Sequence, residues 1–406
     1  MAQRDLTGSQ ITSSYISLIE TGKRIPTLNV VVLLAEKLGI PLEALLGRQA
    51  PQILPRKESS DSLSDTFLHA VNTMEIGAHD EALAQFRQAY QEARHVDDHK
   101  LLVQIGFRTD EILQIQRKHE ERVALFTELL TSPGIEEQEV LKISVITGLV
   151  SALRDSGRWQ EARQTALDAQ PLLESPPIDG SVEHVKFLGV LISTLCELRC
   201  LDEIRPPLEK LLRLAAELGQ VGVIGRANWV ASRAYVVIGD NDAAYASLHL
   251  ALEHLSLKGI TTHEWVRFSR SIAGTLIAIE RDLPMAEEWL RNAETAAHLL
   301  RAREEDLAIQ VLKCRLALLS GEPEKVVEIS VRFDLDSASL PDLSRAQMQE
   351  TLAEARFRLG EKEKGVQSLR ESARTWERAG DFQNAISTWK RIDQMTRSEN
   401  GNENEE

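Results

Sequence analysis

A turn-forming position recurs every 39 to 42 residues through most of this chain, and that period constrains the fold more than any other feature. The anchors are Gly77, Arg117, Gly157, Arg199, Gly239, Arg281, Gly321 and Gly360. Five, nine and twelve residues after an anchor a compact set returns. Ala82, Phe86 and Ala89 follow Gly77; Ala162, Ala166 and Ala169 follow Gly157; Ala244, Leu248 and Ala251 follow Gly239. Ala286, Leu290 and Ala293 follow Arg281, and a late copy after Gly380 carries Ala385, Trp389 and Ile392. Such offsets fall on one face of an α-helix. Each anchor then marks the bend between two antiparallel helices. The small residue after it lets the second helix approach the first, and the later residues fill the hairpin core. One hairpin cannot bury its apolar face alone, so neighbours must stack into a superhelix.

Composition agrees. Aromatics are only 5% while Leu, Ala, Glu and Arg dominate, a mixture that favours helix over strand and predicts an all-α chain. At 406 residues the chain is too long for one ordinary core. Cys196, Cys200 and Cys314 form no disulfide framework and have no nearby histidine cluster, so they read as small apolar residues in a reducing compartment. No apolar run approaches the roughly 18–20 residues of a membrane span, and no signal peptide is apparent, which predicts a cytoplasmic protein. Residues 48–62, GRQAPQILPRKESSD, read as a linker; the repeat array is expected over residues 63–395 and an acidic disordered tail over 396–406.

The net charge of −15 is unevenly spread. Arg4, Lys23, Arg24, Lys37 and Arg48 against Asp5, Glu20, Glu36 and Glu43 give residues 1–50 a net +1, leaving −16 for the rest. An acidic body repels DNA phosphates, so any DNA contact must be confined to the head. There Thr12 or Ser13 can cap a short helix, Ile16 and Ile19 share its inner face with Ile11, and Gly22 can end it. A second helix runs from Leu28 to Leu38, and a short third from Pro41 to Leu46.

The run ITSSYISLIETGKRIPTLNVVVLLAEKLGIPLEALLG resembles the Cro and lambda-repressor (XRE) helix-turn-helix family, and residues 1–47 are assigned to such a head. The resemblance implies that the helix beginning at Ser13 enters the major groove of double-stranded operator DNA. It places Ser13, Ser14 and Ser17 at base edges with Leu18 close by, and Thr12, Lys23 and Arg24 near phosphates. Helix capping is the alternative role for the serines. Ile11, Ile16, Ile19, Leu34, Leu38 and Leu45 would form the small core. One departure stands out: the family supplies further helices before the position of Ile11, where this chain offers Met1 to Gln10. Either the start lies upstream or the head binds DNA poorly.

The spacing of the body is similar to the second half of the tetratricopeptide signature, with Tyr235 properly placed before Gly239. The combination resembles tetratricopeptide regulators of Gram-positive and actinobacterial genomes, some of which bind signalling peptides. It implies a homodimer and a peptide or protein effector. Arg226, Trp229 and Arg233 fall three and four apart on the first helix of their hairpin, as do Gln104, Phe107, Arg108 and Glu111 on theirs. A guanidinium and aromatic stripe suits carboxylates and peptide backbone, and a solvated helix face is the plainer reading. No phosphate loop, HExxH, nucleophile elbow or metal spacing is present, so no enzyme, cofactor or metal is expected. The rival to a DNA-binding regulator is an interaction scaffold with a degenerate helix-turn-helix.

Overall fold

The computed structural model describes residues 61–95, 98–132, 134–255, 261–300, 303–332 and 342–402, together with Ile16, Leu34 and Lys37 of the head. Its two compact units are residues 1–261 and 262–406. Among the described residues the secondary structure is helical throughout, with no strand.

The first unit contains five hairpins. They are α1 (Asp61–Glu75) with α2 (His79–Ala93), α3 (His99–Ile115) with α4 (His119–Leu130), and α5 (Glu139–Asp155) with α6 (Trp159–Ala169). A 3-10 turn, Gln170–Glu174, precedes α7 (Val182–Glu197) with α8 (Leu201–Leu218), and α9 (Val221–Ile238) pairs with α10 (Asn241–His254). The second unit holds α11 (Thr262–Ala278) with α12 (Leu283–Leu299), α13 (Arg303–Leu319) with α14 (Pro323–Arg332), and α15 (Asp342–Arg358) with α16 (Lys362–Arg378). A closing helix, α17 (Phe382–Asn402), packs on α16.

Each hairpin bends by one device. Gly77 takes φ +81°, its N–H donates to the Met74 carbonyl, and the next N–H, of Ala78, donates to the Thr73 carbonyl. These bonds satisfy carbonyls that the end of a helix leaves unpaired. The same pattern recurs at Gly157, Gly239, Gly321, Gly360 and Gly380, and at Arg117 (φ +54°) and Arg199 (φ +52°) without a glycine.

The expected turn at Arg281 is displaced by one residue. Glu280 takes the left-handed φ of +53°, and Arg281 supplies the following N–H to the Leu276 carbonyl. Asp282 is a second left-handed residue, φ +48°, whose carboxylate caps α12 by accepting from the Met285 N–H. One residue is therefore inserted. Ala286, Leu290 and Ala293 nevertheless reach their buried places, because the extra residue is absorbed before the helix starts. The other expected core positions after Gly77, Gly157 and Gly239 are buried as well.

At the C-terminus α17 continues to Asn402, so residues 396–402, expected in a disordered tail, extend the closing helix. No proline interrupts the segment, and Gly401 comes only at its end. At the other end α1 begins at Asp61, inside the expected linker.

Candidate effector-binding face and DNA-binding head

Thr12, Ser13, Ser14, Ser17, Leu18, Lys23 and Arg24 lie outside the described residues. Of the expected head core, Ile16 and Leu34 are described, and both are helical and buried.

In the first unit the first helices of the hairpins pack on one another in succession, α1 on α3, α3 on α5, α5 on α7 and α7 on α9. The first helices thus form one continuous layer. The second helices are linked by ion pairs at the surface, such as Arg163 of α6 with Glu203 of α8 at 2.7 Å. Arg226, Trp229 and Arg233 stand 13, 10 and 6 residues before Gly239 on α9, and Gln104, Phe107 and Glu111 hold those registers before Arg117 on α3. The two stripes therefore share one face but lie three hairpins apart.

Sequence reasoning passed over what lies between. The same registers give Ser144, Thr147 and Ser151 on α5 and Lys186, Gly189 and Ser193 on α7. The hydroxyls of Ser144, Thr147 and Ser193 donate back to the carbonyls of Val140 (2.8 Å), Ile143 (2.7 Å) and Gly189 (2.8 Å) of their own helices. These three side chains lie flat, while the exposed Lys186 of α7 stands on the same face between the α3 and α9 stripes.

The expected effector residues differ in accessibility. Gln104 is exposed. Phe107 is half-buried, its ring edge-on to Phe126 at 5.4 Å, so part of it belongs to the hairpin core. Arg108 Nη1 is held by Glu111 at 2.8 Å. On α9, Arg226 and Trp229 are half-buried, and Arg233 Nη2 reaches Glu197 of α7 at 2.6 Å. The side chains of that last pair remain 47% and 29% exposed, so the guanidinium is accessible.

A second polar group lies deeper. Arg122 on α4 is 1% exposed; its Nε donates to Asp110 Oδ1 at 2.6 Å and its Nη1 to Asp155 Oδ2 at 2.8 Å. Asp110 also accepts from Gln114 Nε2 at 2.6 Å, and Asp155 Oδ1 accepts from Arg154 Nη2 at 2.8 Å. Burial pushes the Asp110 carboxyl above its ordinary range despite the guanidinium beside it. Burial opposes the charge on Arg122, but the two carboxylates outweigh it and raise its affinity for the proton. His119, one turn earlier on α4, is held neutral chiefly by burial, then by Arg117 and Arg122, against Asp155 and Glu120. His184 at the start of α7 is likewise driven down by burial and Lys210 against Asp179.

Cys196 and Cys314 are buried packing residues, while His249 is exposed and His254 half-buried. Burial pushes the Cys196 thiol to about 11 and that of Cys314 to about 12, so neither is a thiolate near neutrality. His249 stacks edge-on against Tyr245 at 4.4 Å, and His254 Nδ1 meets the Leu250 carbonyl at 2.9 Å. Among the described residues no cluster of three or more His, Cys, Asp or Glu is arranged to hold a metal ion, and no helix is long and apolar enough to cross a membrane.

Comparison with known proteins separates the two parts. Residues 3–45 match the model of a helix-turn-helix family. No curated protein matches the chain. Among solved structures, a Rap protein complexed with Competence and Sporulation Factor is similar at 13% identity and a TM-score of 0.50, covering 84% of this chain and 99% of its own. A tetratricopeptide repeat protein from Parabacteroides merdae matches at 13% identity and a TM-score of 0.42, over 82% of this chain and 98% of its own. The apo form of RapI matches at 12% identity and a TM-score of 0.35, over 78% of this chain and 99% of its own. At these identities the likeness to the first shows the fold alone. The chain joins an XRE-type helix-turn-helix domain at its N-terminus to an α-solenoid of tetratricopeptide-like hairpins.

Proposed function

We propose that this chain is a cytoplasmic, non-enzymatic transcriptional regulator that binds an operator as a homodimer and receives a peptide or protein on the first-helix face of its array. One observation carries the reading: a helix-turn-helix match over residues 3–45 is joined to an array with the fold of a Rap protein solved with a bound factor. The match starts ahead of Ile11 and takes in residues that the resemblance read from sequence left out, which favours a DNA-binding head over a degenerate one. Within the head, Ser13, Ser14 and Ser17 read bases beside Leu18, while Thr12, Lys23 and Arg24 hold phosphates. Within the array, Gln104, Phe107 and Arg108 on α3 and Arg226, Trp229 and Arg233 on α9 flank the stretch of α5 and α7 that carries Lys186, and contact the effector.

Recovery of genomic DNA bound to the full chain, then titration of the recovered site, tests the first half. Ser14→Ala is expected to lower discrimination at one base position by about 1–3 kcal/mol or less, a hydroxyl being a weaker reader than a bidentate side chain. Lys23→Ala is expected to weaken all sequences and flatten the salt dependence. Identical effects of both changes on specific and random DNA would overturn the assigned roles. For the second half, operator binding is compared with and without cell extract in the parent and in the Arg226→Ala/Arg233→Ala variant; an unchanged response places the sensing surface elsewhere.

A further inference from the structure

In the repeated hairpin, two facing positions are kept small or apolar so that the helices can close. Five residues after the turn stand Ala82, Ala162, Ile204, Ala244 and Val326, and seven before it stand Ala70, Val150, Ile192, Ser232 and Cys314, all buried and uncharged. In the second hairpin these two positions are Arg122 and Asp110, equally buried. Neighbouring copies fold with uncharged residues there, and a buried ion pair is weak evidence for stability because desolvation opposes it. What the charges add is direction.

The second arm of Arg122 leaves its own hairpin for Asp155, the last residue of α5, at 2.8 Å. The opposite oxygen of Asp155 is taken by Arg154 Nε at 3.1 Å and Nη2 at 2.8 Å, which fixes that carboxylate from the outer side. At the same junction the ring of Phe126 on α4 lies so close over Gly148 of α5 that a Cβ there would collide with it. A slip of the third hairpin on the second would uncover two buried charges and lift that ring.

The junction between the fourth and fifth hairpins carries no charge at these positions: Ile192 and Ile204 close the fourth hairpin and Ser232 and Ala244 the fifth, and α7 meets α9 through the partly exposed pair Arg233 and Glu197. A Cβ on Gly189 would sit in ordinary contact with Val230 at 3.7 Å.

We propose that the second and third hairpins move as one block whose register is set by Arg122.

Amide hydrogen exchange of the full chain without effector is the test. Core amides of α4 and α5 are expected to share one level of protection, as a single cooperative unit. Asp155→Asn, which keeps the side-chain shape and leaves Arg122 on Asp110, is expected to speed exchange in α4 and α5 about tenfold and to change α7 to α10 less than about twofold. Arg122→Lys, which keeps the charge but not the two-armed geometry, is expected to act in the same place. Different protection in α4 and α5, or acceleration spread evenly over all hairpins, overturns the proposal. Because exchange is read without ligand, its failure leaves the effector reading standing, and failure to find an effector leaves the block standing.

Discussion

Arg122→Ala gives the sharpest energetic test of the buried network. Removing one partner of a buried ion pair costs about 3–5 kcal/mol, because the remaining charge keeps its desolvation without its counter-charge. Asp155 contributes little to that cost, since Arg154 still holds its outer oxygen and 18% of its side chain is exposed. Asp110 carries most of it: its side chain is buried, and Gln114 alone remains bonded to it. The carboxyl is already pushed up by burial, and losing the guanidinium pushes it further, so it can escape the cost by taking a proton. The sign follows. A carboxyl whose folded pKa lies above its unfolded value stabilises the fold below the unfolded pKa and loses that contribution as pH rises through the folded pKa. Arg122→Ala should therefore be about 3–4 kcal/mol less stable than the parent near neutrality, and the gap should narrow as pH falls towards the ordinary carboxyl value of about 3.9. The double variant Asp110→Leu/Arg122→Met, apolar and close to the original volumes, should return to within about 1 kcal/mol of the parent. Urea unfolding of the full chain at two pH values measures all three proteins, with exchange in α3 to α5 as the local readout. A loss below about 1 kcal/mol in the single variant, or a double variant as unstable as the single, would refute the reasoning.

Three further outcomes are expected. Arg199→Gly relieves a left-handed residue at a turn and should gain about 0.5–1 kcal/mol in thermal unfolding, the strain released exceeding the entropy glycine adds to the unfolded chain. Gly148→Ala should lose about 1–3 kcal/mol through collision with Phe126, whereas Gly189→Ala, with only Val230 at 3.7 Å, should gain up to about 1 kcal/mol of helix propensity; opposite signs in a melting comparison check the pair. His119 and His184 have folded pKa values below the ordinary 6.5, so their contribution is complete above 6.5 and is lost as pH falls through the folded values. The midpoint of thermal unfolding should then drop as pH falls below about 6.5, and less steeply in His184→Asn.

The hairpin turns were legible because the backbone device is local. A left-handed residue followed by a fixed set of hydrogen bonds leaves a glycine in most copies, and the period locates Arg117 and Arg199 where no glycine stands. It failed by one residue at Arg281, since Glu280 and Asp282 share the bend and neither carries a composition signal. The buried network was illegible for another reason. Arg122 is separated from Asp110 by 12 residues and from Asp155 by 33, and the same residue types elsewhere form ordinary exposed pairs such as Arg158 with Glu161. Only the register of Arg122, in a place its neighbours give to Ala or Ile, could have flagged it. The face of the first helices was half legible: charged and aromatic stripes on α3 and α9 drew attention, while Ser144, Thr147, Gly189 and Ser193 share their registers without chemistry to announce them. Phe107 shows the limit of such stripes, one ring serving both the face and the core.

The charge distribution says how the two parts must cooperate if the proposed function holds. Residues 1–50 have a net of +1, and only Thr12, Lys23 and Arg24 are assigned to phosphates, while the remaining chain carries −16. Each neutralised phosphate contributes about 0.9 to the salt slope, so one head with two cations gains little from counterion release and binds weakly at physiological salt. Two heads spaced to meet successive major grooves, about 34 Å apart, change the arithmetic, because the second contact becomes intramolecular. Affinity then depends steeply on whether the spacing between the heads fits the operator. A ligand that altered one head would modulate a small term. A ligand that binds one curvature of the array better than another changes the spacing of both, and a preference of about 1.4 kcal/mol shifts the ratio of the two states tenfold. Coupling through the array is therefore the larger lever.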